Sequence, residues 1–422
     1  MSPQPPVQSP SRVRHVVLAL TVAAYMITYM DRVVISSAAP SIRKEFAFDM
    51  VTMSWILGSF RWAYSVFQIP GGWIGDRFGP RRALTGIVIW WSLCCSAIVG
   101  MWSAWSMKVC QFLFGMGEAG AFPTATRSLS RWMLPSERGF AQGITHAGSR
   151  LGGAITPALV AWVIVHFGWR AAFLSLPSLG FLWAVVWYVY YRDLPAEHKG
   201  VNDAERELIE SAVGARRKAA GSVPWKRILG SSQMWILSAA YFCYGYSLAF
   251  YLDLFPTYLN SARGFSIGKM GFFASLTLLA GVFGDLGGGW MSDVLSRTRL
   301  GLRRARQVVA VSGFLMGGLS VVAASQAADP VHAVWFSCTS MFFLELTVGV
   351  SWAIPLDIGG DYAGSVSGVM NTWGNLGGAV STSASGYLVK YFGWNAIFVV
   401  MATLAVLGAA LYTRIDAEKR IA

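Results

Sequence analysis

Apolar runs separated by short polar loops recur along the whole chain. A helix needs about 20 apolar residues to cross a bilayer. Twelve stretches reach roughly that length: 16–38, 51–75, 84–103, 105–126, 140–166, 170–192, 233–259, 269–291, 306–326, 332–355, 364–390 and 393–413. The longest polar interval, Arg192 to Lys226, falls between the sixth and seventh. It contains Asp203-Ala-Glu-Arg-Glu-Leu-Ile-Glu and then Arg216-Arg217-Lys218, and reads as a solvated amphipathic linker. The first fifteen residues are polar and Pro-rich, and the apolar run behind them is too long for a signal-peptide core, so no cleavable leader is expected.

The two halves repeat. Gly72-Trp-Ile-Gly-Asp76 returns as Gly289-Trp-Met-Ser-Asp293. Leu151-Gly-Gly-Ala returns as Leu376-Gly-Gly-Ala, and Phe167-Gly-Trp as Phe392-Gly-Trp, these two at the same offset. A shared offset implies two six-helix bundles in one orientation, related by an axis along the membrane normal, with substrate bound between them near mid-membrane. The expected fold is an all-α integral membrane protein of twelve transmembrane helices in two pseudo-symmetric bundles. Its parts are residues 1–192, a cytoplasmic linker over 193–231, and residues 232–422.

Composition agrees: mean hydropathy is +0.48, with 55% hydrophobic and only 13% charged residues, against about 25% charged in soluble domains. The net charge of +13 does not point to nucleic acid, because the basic residues are scattered through short loops. They concentrate on one side, in loops holding Arg12, Arg14, Arg77, Arg81, Arg82, Arg127, Arg131, Arg138, Arg297 to Arg306, Lys419 and Arg420. The positive-inside rule then places both termini and the linker in the cytoplasm, at the cell's inner (plasma) membrane. The five cysteines all lie in apolar runs, without disulfide or metal spacing. No nucleotide loop or metal constellation appears, so no cofactor, no ATP-driven pump and no membrane enzyme is expected.

Charges inside the apolar runs carry the chemistry. One costs roughly 2.5–3.5 kcal/mol at a helix centre on insertion scales, so it faces a cavity or a partner. Asp31 and Arg32 stand together in the first span, and Glu118 lies in the fourth. After the second span, Gly72-Trp-Ile-Gly-Asp76-Arg77-Phe-Gly79-Pro-Arg81-Arg82, with its degenerate copy from Gly289 to Arg304, resembles the loop signature of the major facilitator superfamily. The resemblance makes Asp76, Arg77, Arg81 and Asp293 candidate latches between the cytoplasmic ends of the bundles.

A narrower resemblance covers nearly the whole chain. Tyr29-Met-Asp31-Arg32, Tyr64-Ser-Val-Phe-Gln68-Ile-Pro-Gly-Gly, Gly115-Met-Gly-Glu118-Ala, Gly148-Ser-Arg150-Leu-Gly-Gly and Asn371-Thr-Trp-Gly-Asn375 are similar to the anion:cation symporter family. That family includes permeases for galactonate, hexuronates, glucarate and phthalate. It implies that Asp31 and Glu118 carry protons, and that Tyr29, Arg32, Tyr64, Ser149, Trp352 and Asn371 contact substrate. One position departs: the family usually carries an Arg seven residues before the fourth-span Glu, and here that residue is Gln111. Gln111 and Glu118 lie two turns apart on one helix face. Arg61, which the family usually lacks, shares a face with Tyr64 and Gln68 and is expected either to anchor the substrate carboxylate instead or to snorkel to the interface. Arg150 is expected at a cavity wall or in a salt bridge, Glu345 and Asp253 in structural roles, and Tyr244, Ser247 and Tyr251 on a face closing over substrate.

The expected function is secondary active import of a small organic anion, a carboxylate or sugar acid, by proton symport and alternating access. The expected partners are that anion, protons and the lipid bilayer, the protein acting as a monomer. The rivals are an inorganic-anion (nitrate-type) transporter, a drug or metabolite efflux transporter, and a non-transporting ligand sensor.

Overall fold

The computed structural model describes residues 9–134, 137–214, 224–359 and 362–419, and among these every regular element is helical. Arg216, Arg217, Lys218 and Arg420 lie outside the described residues, as does the side chain of Asp76.

The first bundle contains α1 (Val13–Phe46), α2 (Met50–Ala97), α3 (Ala104–Glu118), α4 (Ala121–Trp132), α5 (Arg138–Phe167) and α6 (Trp169–Tyr190). Two spans are merged in α2. Gly79, inside the loop signature, has φ +76°, a conformation open to glycine at little cost, and there the chain passes from the second span into the third. The fourth span is divided at residues 119–120 into α3 and α4.

The linker forms a short 3₁₀ turn, then α7 (Asp203–Gly214) and α8 (Trp225–Gly230). The second bundle contains α9 (Ser232–Ala249), α10 (Phe255–Ser261), α11 (Ile267–Ser296), α12 (Gly301–Gln326), α13 (Pro330–Gly359), α14 (Ala363–Phe392) and α15 (Trp394–Tyr412). α9 and α10 are one span, interrupted by a π-helical turn over Phe250–Leu254. Pro256 sits at the start of α10. It cannot donate a backbone hydrogen bond, so the regular ladder is lost just before it, and the π turn absorbs the change. The uniform helix expected over 233–259 is thus broken, and Asp253 falls in the break. Eight of the helical segments are long and apolar enough by themselves to cross a membrane.

Glycine rows set the packing. A β-carbon at Gly288 of α11 would lie 2.0 Å from the Leu346 carbonyl oxygen of α13, and one at Gly245 of α9 would lie 2.0 Å from the Gly374 carbonyl of α14. Only glycine permits such approach.

Gln233, at the start of α9 beside the linker, bonds the C-terminal segment at Arg414 and Asp416, while Arg14 and Ser11 bond Glu205 of α7. Both termini and the linker therefore share one face, the terminal face. The bundles meet through α5 with α11, α2 with α14, and α1 with α10. Contact lies toward the opposite, far face. Gly386 of α14 packs on Val51 and Ser54 at the start of α2, and Gly271 of α11 packs on Pro157 and Ala161 of α5. Toward the terminal face, a β-carbon at Gly143 of α5, or at Gly364 or Gly368 of α14, meets nothing within 4 Å. The bundles touch on the far face, and further in the His146 ring of α5 stands 5.8 Å from the Trp352 ring of α13.

Candidate functional site

The site begins where the second and fourth spans touch backbone to backbone. A β-carbon at Gly115 would lie 2.3 Å from the Phe60 carbonyl oxygen, and one at Gly71 would lie 2.5 Å from Gly120. This contact brings Glu118, at the end of α3, against the first span. Arg32 donates from Nε to Glu118 Oε1 at 3.1 Å, and its Nη2 donates to the same oxygen. Glu118 is fully buried, and its Oε2 accepts nothing from the protein. The guanidinium of Arg32 lies 4.5 Å from the Tyr64 ring centroid, 4.9 Å from Tyr29 and 5.1 Å from Phe60. An aromatic cage of this kind favours a cation by its ring quadrupoles.

Asp31 points elsewhere. It is buried, and its Oδ2 accepts from Trp91 Nε1 of the third span at 3.1 Å. Neighbours in a helix project about 100° apart, so Asp31 does not compete for Arg32; Glu118 does. Trp91 carried no sequence signal beyond being a Trp in an apolar run.

Arg61 is neither a snorkelling residue nor a free cation. It is buried, donates from Nη2 to Asp253 Oδ1 at 3.0 Å, and pairs through Nε with Oδ2. Thr382 of α14 donates to the same Oδ2 at 2.5 Å. Arg61 thus ties the first bundle to the π turn of the second. Asp253 is its partner because the break before Pro256 sets it there.

A second ionic cluster lies between the bundles. Arg150 of α5 donates to Glu345 Oε1 of α13 at 2.9 Å and to the Tyr244 hydroxyl of α9 at 3.1 Å, with Asp285 of α11 at 3.7 Å. Tyr244 donates to Glu345 at 3.0 Å. Tyr29, Arg150 and Glu345 line one small cavity. Asp285 goes unmarked at the sequence level, although a charge inside a glycine-rich apolar span is the signal that finds it.

The remaining candidates divide. Trp352 is half-buried, donates to the Tyr241 hydroxyl at 2.9 Å and lies 5.8 Å from the His146 ring. Asn371 is half-buried on α14, and its backbone carbonyl accepts from Asn375. Ser149 is buried and donates to the His146 carbonyl of its own helix, so its hydroxyl is spent there. Gln111 is buried with its amide oxygen unpaired by protein. Ser247 and Tyr251 are buried.

The loop residues tie each bundle to itself. The Arg81 backbone N–H bonds Asp193 at 3.2 Å, its side chain donates to the Tyr188 carbonyl at 3.0 Å, and Arg77 stacks on Trp73. Asp293 pairs with Arg306 at 2.9 Å, and Arg306 also with Asp357 at 3.2 Å. Among the described residues, none of these bonds joins the two bundles.

Two bundles of apolar helices around buried arginine–carboxylate pairs define a membrane transporter. The Major Facilitator Superfamily model matches residues 21–382, and the chain belongs to that superfamily. It is 40% identical to a probable sulfoacetate transporter of Cupriavidus necator over 94% of this chain and 93% of that one. It is 30% identical to a hexuronate transporter of Bacillus subtilis over 94% and 93%. The fold also matches a crystal structure of a bacterial homologue of the human lysosomal transporter Spinster, inward-facing and occupied, with TM-score 0.77, 16% identity and coverage of 96% and 98%. These relatives place the chain with transporters of the anion:cation symporter type.

Proposed function

We infer that the protein imports a small organic anion together with protons, and that the substrate's anionic group is taken by Arg32. The carrying observation is the Arg32–Glu118 pair inside the cage of Tyr29, Phe60 and Tyr64. With Glu118 ionised, the guanidinium is neutralised by it. With Glu118 protonated, the cation is left for an external carboxylate or sulfonate, and bidentate recognition by a guanidinium suits both. Anion and proton then occupy the site together, which is the condition for symport. Asp31, buried with a single Trp91 donor and no adjacent cation, is the second proposed proton carrier.

With the termini in the cytoplasm, the far face is external and the conformation is inward-open. Arg61–Asp253–Thr382 is then the proposed outer latch. Import requires it to part, since the two bundles rock about the central site. The chemistry of the relatives suggests a sulfonated or sugar-derived acid.

The test is uptake by purified protein in liposomes with the outside at lower pH, using sulfoacetate, glucuronate and glucarate in turn, with nitrate as the inorganic control. Accumulation of at least one organic anion that collapses with the pH gradient is the expected result. Accumulation of nitrate alone, or uptake indifferent to the gradient, overturns the reading.

A further inference from the structure

We propose that Arg150, Glu345 and Tyr244 form a second anion subsite facing the Arg32–Glu118 pair across Tyr29, so that the transported compound carries an anionic group at each end. This rests on the organic-anion reading above. The two pairs are built alike. Each sets a guanidinium against a fully buried glutamate that uses Oε1 for the pair and leaves Oε2 without a protein partner. The two glutamates also hold equivalent places in the repeat, Glu118 in the fourth span of the first bundle and Glu345 in the fourth span of the second. Tyr29 joins them: its ring flanks Arg32, and it lines the cavity with Arg150 and Glu345. The His146 and Trp352 rings stand on the same side, one helical turn before Arg150 and on α13.

The groups facing Glu345 are Arg150 from α5, Tyr244 and Tyr241 from α9, and Asp285 from α11. Ionised, Glu345 holds Arg150. Protonated, it leaves Arg150 with the Tyr244 hydroxyl and, as its one charged partner among the described residues, Asp285 at 3.7 Å, and the guanidinium takes up an anion in its place. The proton ends on Glu345, and the substrate's carboxylate or sulfonate replaces the glutamate's charge, so charge at the subsite is conserved. The Arg150–Glu345 pair also crosses between the bundles. Its exchange for substrate therefore couples binding to their relative movement, and the coupling is reciprocal. A compound with one charge fills one pair and leaves the other tied.

The probes are sulfoacetate, a dianion, and 2-sulfoacetamide, a monoanion of nearly the same shape, titrated against the full-length protein in detergent between pH 5 and 8. The parent should bind sulfoacetate more than 30-fold tighter, roughly the effect of satisfying a buried charge. Arg150→Gln should remove that preference and leave amide binding in place. Glu345→Gln keeps the side-chain shape while fixing neutrality. It should hold sulfoacetate binding and lower the slope of log Kd against pH by about one proton. Equal affinity for the two compounds in the parent overturns the proposal, as does an Arg150→Gln variant that loses both equally or an unchanged slope in Glu345→Gln. Should Arg150→Gln not fold, the slope decides alone. A parent that transports the amide as well as sulfoacetate sinks only this subsite. A parent that transports no organic anion sinks the underlying reading as well.

Discussion

At the residue scale the decisive fact is which carboxylate holds which guanidinium. Asp31 and Arg32 are adjacent in sequence, yet Arg32 goes to Glu118, and Asp31 goes to Trp91. The residue types were legible: a charge inside an apolar run is costly enough to mark itself. The partners were not, because each is set by contacts between spans. Glu118 reaches Arg32 through the glycine contacts of the second and fourth spans, and no local spacing encodes them. If Glu118 carries the coupled proton, Glu118→Gln should abolish accumulation driven by a pH gradient while substrate exchange across the membrane persists. Gradient-driven accumulation at the parent rate in that variant removes Glu118 from coupling. Tyr64→Ala should weaken substrate binding by about 30-fold, since an aromatic face over a desolvated cation is worth about 2 kcal/mol; isothermal titration with the transported anion measures it.

At the element scale, the repeats announced the two bundles, and the structure places glycines of α9 and α11 against facing backbones. Two departures carry meaning. The fourth span is divided just after Glu118, and the seventh is opened into a π turn before Pro256. The first was not visible, because Glu118-Ala-Gly-Ala reads as helix by composition. The second was foreshadowed by the proline alone, whose effect on Asp253 depends on how the freed backbone settles. Gly288→Ala tests the packing. Its methyl would enter the Leu346 carbonyl at 2.0 Å, and overpacking of this kind costs about 1–3 kcal/mol. Thermal unfolding in detergent should shift down by several degrees.

At the scale of the whole molecule, Arg61 shows how far a sequence reading reaches. Its charge and its face were legible, but its depth was left open, and its partner lies 192 residues away in the other bundle. Such a partner depends on which conformation the bundles adopt. Breaking a buried pair leaves an uncompensated charge and costs about 3–5 kcal/mol. Arg61→Ala should therefore destabilise the state closed on the far face rather than the fold, and raise labelling from outside of a cysteine placed in the cavity, while Arg61→Ala with Asp253→Asn should restore part of the closure. A direct lock tests the same movement. A β-carbon at Gly58 would stand 3.6 Å from that of Ser383, within the range a disulfide spans. The five native cysteines are free thiols inside the spans, so a cysteine-free parent is the background. Gly58→Cys with Ser383→Cys should cross-link on oxidation, stop uptake, and recover it on reduction. The first bundle would then be bound to the second at the point where they have to separate for substrate to enter. Uptake at the full rate with the cross-link complete would mean that the far face does not open during transport, and the alternating movement assigned to these two bundles would have to be abandoned.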